Sequence, residues 1–285
     1  MSTIHLFPTL LSANTTMPKG RAIVLGTNEV ASAIAVALTK QGIRVALSHD
    51  PMPPVIRRRM SFHDSLFGEL TSVDDIWGIN CDQTLEILEE FSHGSRVVVT
   101  RLGLSHLLPV GRFDLIVDAR MHKTTTMPML RYLAPVTIGL GPGFIAGENC
   151  DVAIETHPDF LGQILTTGET LAADGIPSAL GTMRQERFVY SQVPGRWSTH
   201  REIGEKVFRG TSLGILSGHE ILAPQDGVLR GIVRDGTEVP QAVKLLEIDP
   251  RGRNAQWQGL DQRSYAIAKA TLNAFTLMAQ HLHRT

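Results

Sequence analysis

The chain has 285 residues, 42% hydrophobic and 19% charged, with a formal net charge of −1 at pH 7. This composition suits a globular protein with sizeable cores and excludes the strong basic field of a nucleic-acid binder. The length leaves room for one large domain or two to three small ones. The two cysteines, Cys81 and Cys150, are far apart and form no C-x-x-C pair, which argues against a disulfide scaffold or a structural zinc site. No apolar run reaches the ~18 residues of a membrane span, and residues 1–20 lack the basic start of a signal peptide. The expectation is a cytoplasmic protein with an N-terminal leader and no membrane span.

Arg21 to Leu25 is a β-branched run that predicts a strand ended by Gly26. Val30 to Leu38 reads as an alanine-rich helix, Gly42 caps it, and Ile43 to Leu47 is the next strand. This is a βαβ unit of the Rossmann kind. Its fingerprint keeps only the first glycine: Asn28 stands at the second position and Ala31 at the third. Asp50 follows the second strand where a ribose-binding acid would sit. The alternatives are an NAD(P) site and a βαβ unit used only as scaffold. Arg57, Arg58 and Arg59 come next. Three adjacent arginines either form a solvated basic turn or send at least one side chain inward or toward a phosphate or carboxylate.

Asp82 to Glu90 predicts a helix and Arg96 to Thr100 a strand. Leu104 to Phe113 predicts a helix broken near Pro109, and Asp114 to Asp118 a further strand. Asp118, Arg120 and Lys123 then cluster at the carboxyl end of that strand, where open α/β sheets bind ligands. Thr137 to Thr156 is the densest motif: an apolar lead-in, Gly139, Gly141 and Gly143 with Phe144, then Gly147, then a strand from Asp151 to Thr156. Alternating glycines after a strand can aim backbone N–H groups at an anion. They can equally serve a tight turn.

Beyond Asp151 helical periodicity gives way to short strands and glycine turns. Ile203 to Leu216 resembles Asp235 to Ile248: Gly204 aligns with Gly236, Val207 with Val239, Leu213 with Leu245 and Leu216 with Ile248, an offset of 32 residues. The Gly-x-x-Val and Ala223-Pro224…Gly227-Val228 elements resemble the biotinyl/lipoyl barrel-sandwich hybrid. The hairpin tip, Ser217-Gly218-His219, lacks the lysine of carrier members. Asp261 to Leu282 is a long amphipathic helix. The expected fold is α/β: a Rossmann-like, mainly parallel sheet, then a β-rich barrel-sandwich module, then a C-terminal helix. The expected segments are 1–20 leader, 21–150 Rossmann-like domain, 151–200 β-rich connection, 201–250 barrel-sandwich module and 251–285 C-terminal helix.

Taken together, the chain from Arg21 onward resembles the YqeB-type accessory proteins of the selenium-dependent molybdenum hydroxylase system, relatives of the XdhC-like chaperones. The residues that carry this are the βαβ start at Gly26, Ile56-Arg57-Arg58…Phe62, Asp118-Ala119-Arg120-Met121 with Lys123, Gly139 to Phe144 with Ala146-Gly147, Glu155-Thr156, Gly175…Pro177…Gly181, Arg187 and Asp249-Pro250-Arg251. The resemblance implies a maturation factor more than a turnover enzyme. It would bind molybdenum cofactor or its dinucleotide form and serve a molybdenum hydroxylase apoenzyme or other cofactor-assembly proteins, without nucleic acid or membrane and with a homo-oligomer open. The alternatives are an NAD(P)-dependent oxidoreductase and a non-catalytic docking module. Candidate cofactor-binding residues are Gly26, Asn28, Arg57, Arg58, Asp118, Arg120, Lys123, Gly139, Gly141, Gly143 and Phe144. No catalytic or metal-binding residue is singled out.

Overall fold

A computed structural model describes residues 20–123 and 126–282. All but the last residue of the expected 1–20 leader lie outside it. The first strand, β1 (Arg21–Leu25), leads into helix α1 (Glu29–Lys40) and then β2 (Arg44–Ser48). Asn28 starts the helix: its side-chain oxygen accepts hydrogen bonds from the backbone N–H groups of Val30 and Ala31. The hairpin β3 (Ser72–Val73) and β4 (Ile76–Asn80) precedes α2 (Thr84–His93), β5 (Val97–Thr100), α3 (Leu104–Leu107) and β6 (Leu115–Asp118). Then come β7 (Val136–Leu140), β8 (Ile145–Ala146), β9 (Val152–Ile154), β10 (Ile164–Leu165) and β11 (Gly168–Glu169).

Nine of these strands form one sheet in the order β10-β9-β7-β6-β1-β2-β5-β4-β3, parallel except at its two edges. Its residues alternate between two cores. Val24, Val45, Leu47, Val99 and Val117 face α1, while Ile23, Ala46, Val98 and Ile116 face the α2 and α3 side with Ile87, Phe91 and Leu107. The sheet runs past residue 150 to Leu165. The C-terminal helix α4 (Gln262–Leu282) returns to pack on α1 through Ile267, Ala270 and Phe275.

The rest of the chain forms two four-stranded antiparallel sheets. One has the order β12 (Phe188–Tyr190), β19 (Lys244–Asp249), β17 (Gly227–Ile232), β14 (Lys206–Val207). The other has the order β16 (His219–Leu222), β15 (Ser212–Leu216), β13 (Gly195–Ser198), β18 (Glu238–Val239). The chain is thus mixed α/β with a large parallel-containing sheet, additional antiparallel sheets and a C-terminal helix. The sequence repeat is visible in three dimensions. Val207, Leu213 and Leu216 lie in the same core as Val239, Leu245 and Ile248, and β14 pairs across to β17 while β18 pairs back to β13.

A short segment ties the two regions together. The Ile56 carbonyl accepts from the Ile232 N–H at 2.8 Å, and Arg58 Nε donates to the Ile232 carbonyl at 3.0 Å. Gly231 permits this close approach: a Cβ on it would meet the Ile56 carbonyl oxygen at 3.0 Å and push the segment back by a few tenths of an ångström. Among the described residues no helix is long and apolar enough to cross a membrane.

Candidate functional site

The chain switches direction across the sheet between β1 and β6, so a nucleotide crevice would open above Gly26 and Asp118. In this protein the crevice is filled by its own backbone. Gly26 has φ +107°, and a Cβ there would sit 3.1 Å from the Ala119 carbonyl oxygen. Asn28 Nδ2 donates to that same carbonyl at 2.8 Å, while its oxygen takes the first free N–H groups of α1. Two of the donors that would bind a pyrophosphate, the Val30 and Ala31 N–H groups, are therefore already used. Asp118 receives Arg120 in a fork, Nε at 3.0 Å and Nη2 at 2.5 Å. Asp50 is held by His122 Nε2 at 3.0 Å. Lys123 is exposed in the loop beyond.

The glycine loop is also committed internally. The Phe144 ring occupies the space where a Gly139 Cβ would be and is itself 2% exposed. Gly141, with φ +79°, donates its N–H to the Ile154 carbonyl at 3.0 Å. Asn149 ties the loop by accepting from Ile145 N–H at 2.9 Å and donating to the Gly143 carbonyl at 3.0 Å. Cys150 is buried, which pushes its thiol up to about 12, and burial likewise lifts Cys81 to about 11. Neither is a ready thiolate at neutral pH.

The arginine run turns inward toward protein carboxylates. Arg57 donates Nε to Glu247 at 2.7 Å and Nη1 to Glu29 at 2.7 Å. Arg58 donates Nη1 to Asp64 at 2.5 Å, and Arg59 remains exposed. Glu247 has no exposed surface and also receives Arg187 Nε at 2.8 Å, with Arg230 Nε 3.5 Å away. Burial favours its neutral form, but Arg57 and the other guanidiniums override this and hold its carboxyl at about 2. Burial likewise opposes the Arg57 charge, yet Glu247 and Glu29 raise its pKa. Arg230 continues the network to Asp261, ahead of α4, at 2.7 Å.

Around this network cations outnumber carboxylates. Half-buried Lys244 makes no ion pair and no side-chain hydrogen bond among the described residues; its ammonium lies 3.9 Å from the centre of the Phe188 ring. Burial, with Arg57 and Lys123 nearby, lowers its pKa to about 8 against the pull of Glu247 and Glu29. Arg263, on the first turn of α4, makes one long contact, 3.5 Å to the Thr156 carbonyl, and burial pulls its pKa down. Glu29 and Arg57 are felt by both Lys244 and Arg263. This seam therefore gathers at the amino end of α1.

A second cluster sits beside it. The Thr27 hydroxyl, 1% exposed, contacts His63 Nδ1 at 2.9 Å and His49 Nδ1 at 3.3 Å. Burial, then His49 and Arg58, drives His63 down to about 3, and burial lowers His49. Two clefts, of about 570 and 630 Å³, open elsewhere: one by Arg112 and Tyr132 at the amino end of the sheet, the other along α2.

Of the expected residues, the structure gathers Gly26, Asn28, Asp118 and Arg120 at the switch point and Arg57 at the seam. It leaves Gly139, Gly141, Gly143 and Phe144 in the loop beyond β7. Sequence reasoning did not find Glu247, Lys244, Arg263, His49 or His63. Arg57 and Glu247 stand 190 residues apart, and no local pattern links them.

No protein-family model matches the chain. The uncharacterized protein YqeB of Escherichia coli (strain K12) is 30% identical over 265 residues, 92% of this chain and 48% of that protein. The chain thus spans about half the length of the curated relative it matches. Among solved structures, it is similar to an aspartoacylase family protein of Mesorhizobium loti (14% identity, 50% of this chain and 58% of that one, TM-score 0.22). It is also similar to a succinylglutamate desuccinylase/aspartoacylase of Rhodobacter sphaeroides (14% identity, 81% and 85%, TM-score 0.25) and a succinylglutamate desuccinylase of Silicibacter (13% identity, 81% and 84%, TM-score 0.25). Scores this low assign this chain neither their fold nor their activity.

These findings correct the molybdenum reading. The matched relative carries no molybdenum role in its description, and the similar structures are described as acylases and desuccinylases. The XdhC-like resemblance, the molybdenum cofactor or its dinucleotide form, and the maturation and chaperone role are withdrawn. The NAD(P) cofactor and oxidoreductase alternative goes with them, as Asn28 and Ala119 fill the pyrophosphate position. So does the inert docking module, which none of these relatives is described as being.

Proposed function

We propose that this chain binds a small anion, carboxylate- or phosphate-bearing, in the seam between the parallel sheet and the antiparallel sheet that carries Glu247. One observation carries the reading: Lys244 and Arg263 are half-buried cations with no carboxylate partner among the described residues, beside carboxylates already engaged by other arginines. A desolvated cation without a counter-ion is costly, and a bound anion relieves that cost. Arg57, fixed by Glu29 and Glu247, would hold the wall of such a site rigid. The two antiparallel sheets, with paired halves exchanging strands, support a barrel-sandwich hybrid as the second wall.

Calorimetry of the full chain with phosphate, sulfate and malonate at pH 7 tests this. Lys244→Ala and Arg263→Ala should each weaken binding at least ~10-fold, equivalent to about 1.4 kcal/mol, while Arg59→Ala leaves it unchanged. Affinity should fall as pH rises through about 8, where Lys244 loses its charge. Absence of binding by all three anions would overturn the reading.

A further inference from the structure

We propose that Lys244 forms a reversible imine with the ketone of a 2-oxo carboxylate held in the seam. The inference rests on the anion reading above and adds a reaction to it. Lys244 opens β19 and stands opposite Tyr190 of β12 in the strand register. Its nitrogen rests on the Phe188 ring rather than on a carboxylate, and the Phe188 and Tyr190 rings pack edge to face at 6.3 Å. The amine is thus placed by packing and left free to bond. The charged groups that act on it are Arg57, Glu247, Lys123 and Glu29. With its pKa at about 8, roughly a tenth of the amine is neutral at pH 7, and a desolvated lysine amine is the usual carbonyl nucleophile.

Tyr190 supplies the other component. Burial raises its pKa, so the phenol stays protonated, and its hydroxyl has no hydrogen-bond partner among the described residues. In the step, the neutral amine forms a C–N bond to the ketone carbon, and the carbonyl oxygen takes a proton from Tyr190. The nitrogen, now an ammonium, returns a proton to the Tyr190 phenolate and regains its lone pair. Tyr190 passes that proton to the carbinolamine hydroxyl, which leaves as water as its C–O bond breaks while the lone pair forms the C=N bond. The proton shed by the lysine ammonium at the outset restores the phenol. Measured from the ammonium, one lysine and one ketone give one protonated imine and one water. The ligand's carboxylate answers the positive charge that Arg57 and Lys123 place around Lys244. An aldehyde without a carboxylate lacks that anchor.

The test is borohydride trapping of the full chain with pyruvate and with 2-oxoglutarate, followed by peptide mass mapping, alongside calorimetry of the same ligands. One reduced adduct at Lys244 is expected. It should be absent in Lys244→Arg, slowed at least ~10-fold in Tyr190→Phe, and protected by malonate. Circular dichroism of both variants controls for folding. An adduct spread over exposed lysines such as Lys40 and Lys206 would overturn the inference. So would calorimetric binding without any adduct, although the anion reading would then stand. If neither ligand binds and none is trapped, both fail.

Discussion

The two halves of the antiparallel region fold alike and face different worlds. Strands β12 to β15 and β16 to β19 follow each other at the same offset, and each half contributes to both sheets. Inside, one half fills its share of the core with Trp197 lying over Gly214, where an added Cβ would approach the ring to 2.5 Å. The equivalent pair in the other half is Leu229 and Leu246, both 0% exposed. A large residue over none and two medium ones occupy comparable space, as close packing requires. Outside, the halves diverge. Glu247 is buried against the parallel-sheet region through Arg57, and Arg230 and Asp249 are buried under the segment that leads into α4, whereas their counterparts Ile215, Ser198 and Ser217 are exposed. Inward positions preserve the repeat, and outward positions record which half acquired a neighbour.

The comparison can be broken most strongly at Glu247. Glu247→Ala strands Arg57, Arg187 and Arg230 without their shared carboxylate, and chemical denaturation should show a loss of about 4 kcal/mol. Acid should do much the same reversibly. The Glu247 folded-state pKa, about 2, lies below the unfolded value, so its stabilisation is present above about pH 4.5 and is lost as pH falls toward 2. This is worth roughly 3 kcal/mol. His63, at about 3 in the fold, adds to the loss from about pH 6.5 downward, because the unfolded chain binds its proton first. A Glu247→Gln chain should show a flatter acid limb, and an unchanged limb would contradict the assignment. Gly214→Ala presses on the Trp197 ring and on the Ser198 carbonyl oxygen, each 2.5 Å from the added Cβ, and should cost about 2 kcal/mol; because the carbonyl is backbone, Trp197→Leu should not restore that loss in full. Ile215→Ala, at the position equivalent to Glu247, should change stability by less than ~0.5 kcal/mol. A larger change there would mean that the outer face is not solvent-facing in solution.

Much of the fold was legible because its signals are local. The runs RAIVL, RVVVT and VTIGL became β1, β5 and β7 within a residue or two. The repeat could be read from Gly204 and Gly236 because apolar residues return in register. Strands β12 and β16 escaped notice: three and four residues long, with Tyr190 and His219 at their ends, they show too little alternation to count. The site was less legible. For Arg57 and Arg58 the sequence left a solvated turn and an inward side chain both open; both turn inward, Arg58 to Asp64 six residues on, but the Glu247 partner of Arg57 comes from a distant strand. Lys244 looks like any strand residue until Arg57 and Phe188 are placed beside it. The glycine loop misled for a physical reason: the freedom that lets a backbone wrap an anion also lets it wrap Phe144.

The tie through Ile56 and Arg57 also has a meaning in time. This segment leaves the ribosome 190 residues before Glu247 exists. Domains tend to fold as units from the N-terminus during synthesis, so the parallel sheet forms with an arginine waiting on Glu29 alone and no α4 over α1. The last-made strands then assemble against a surface already in place, and synthesis order supplies a template for them. Proteolysis of ribosome-bound chains of increasing length should therefore show the stretch around Arg57 becoming resistant only after Glu247 has emerged.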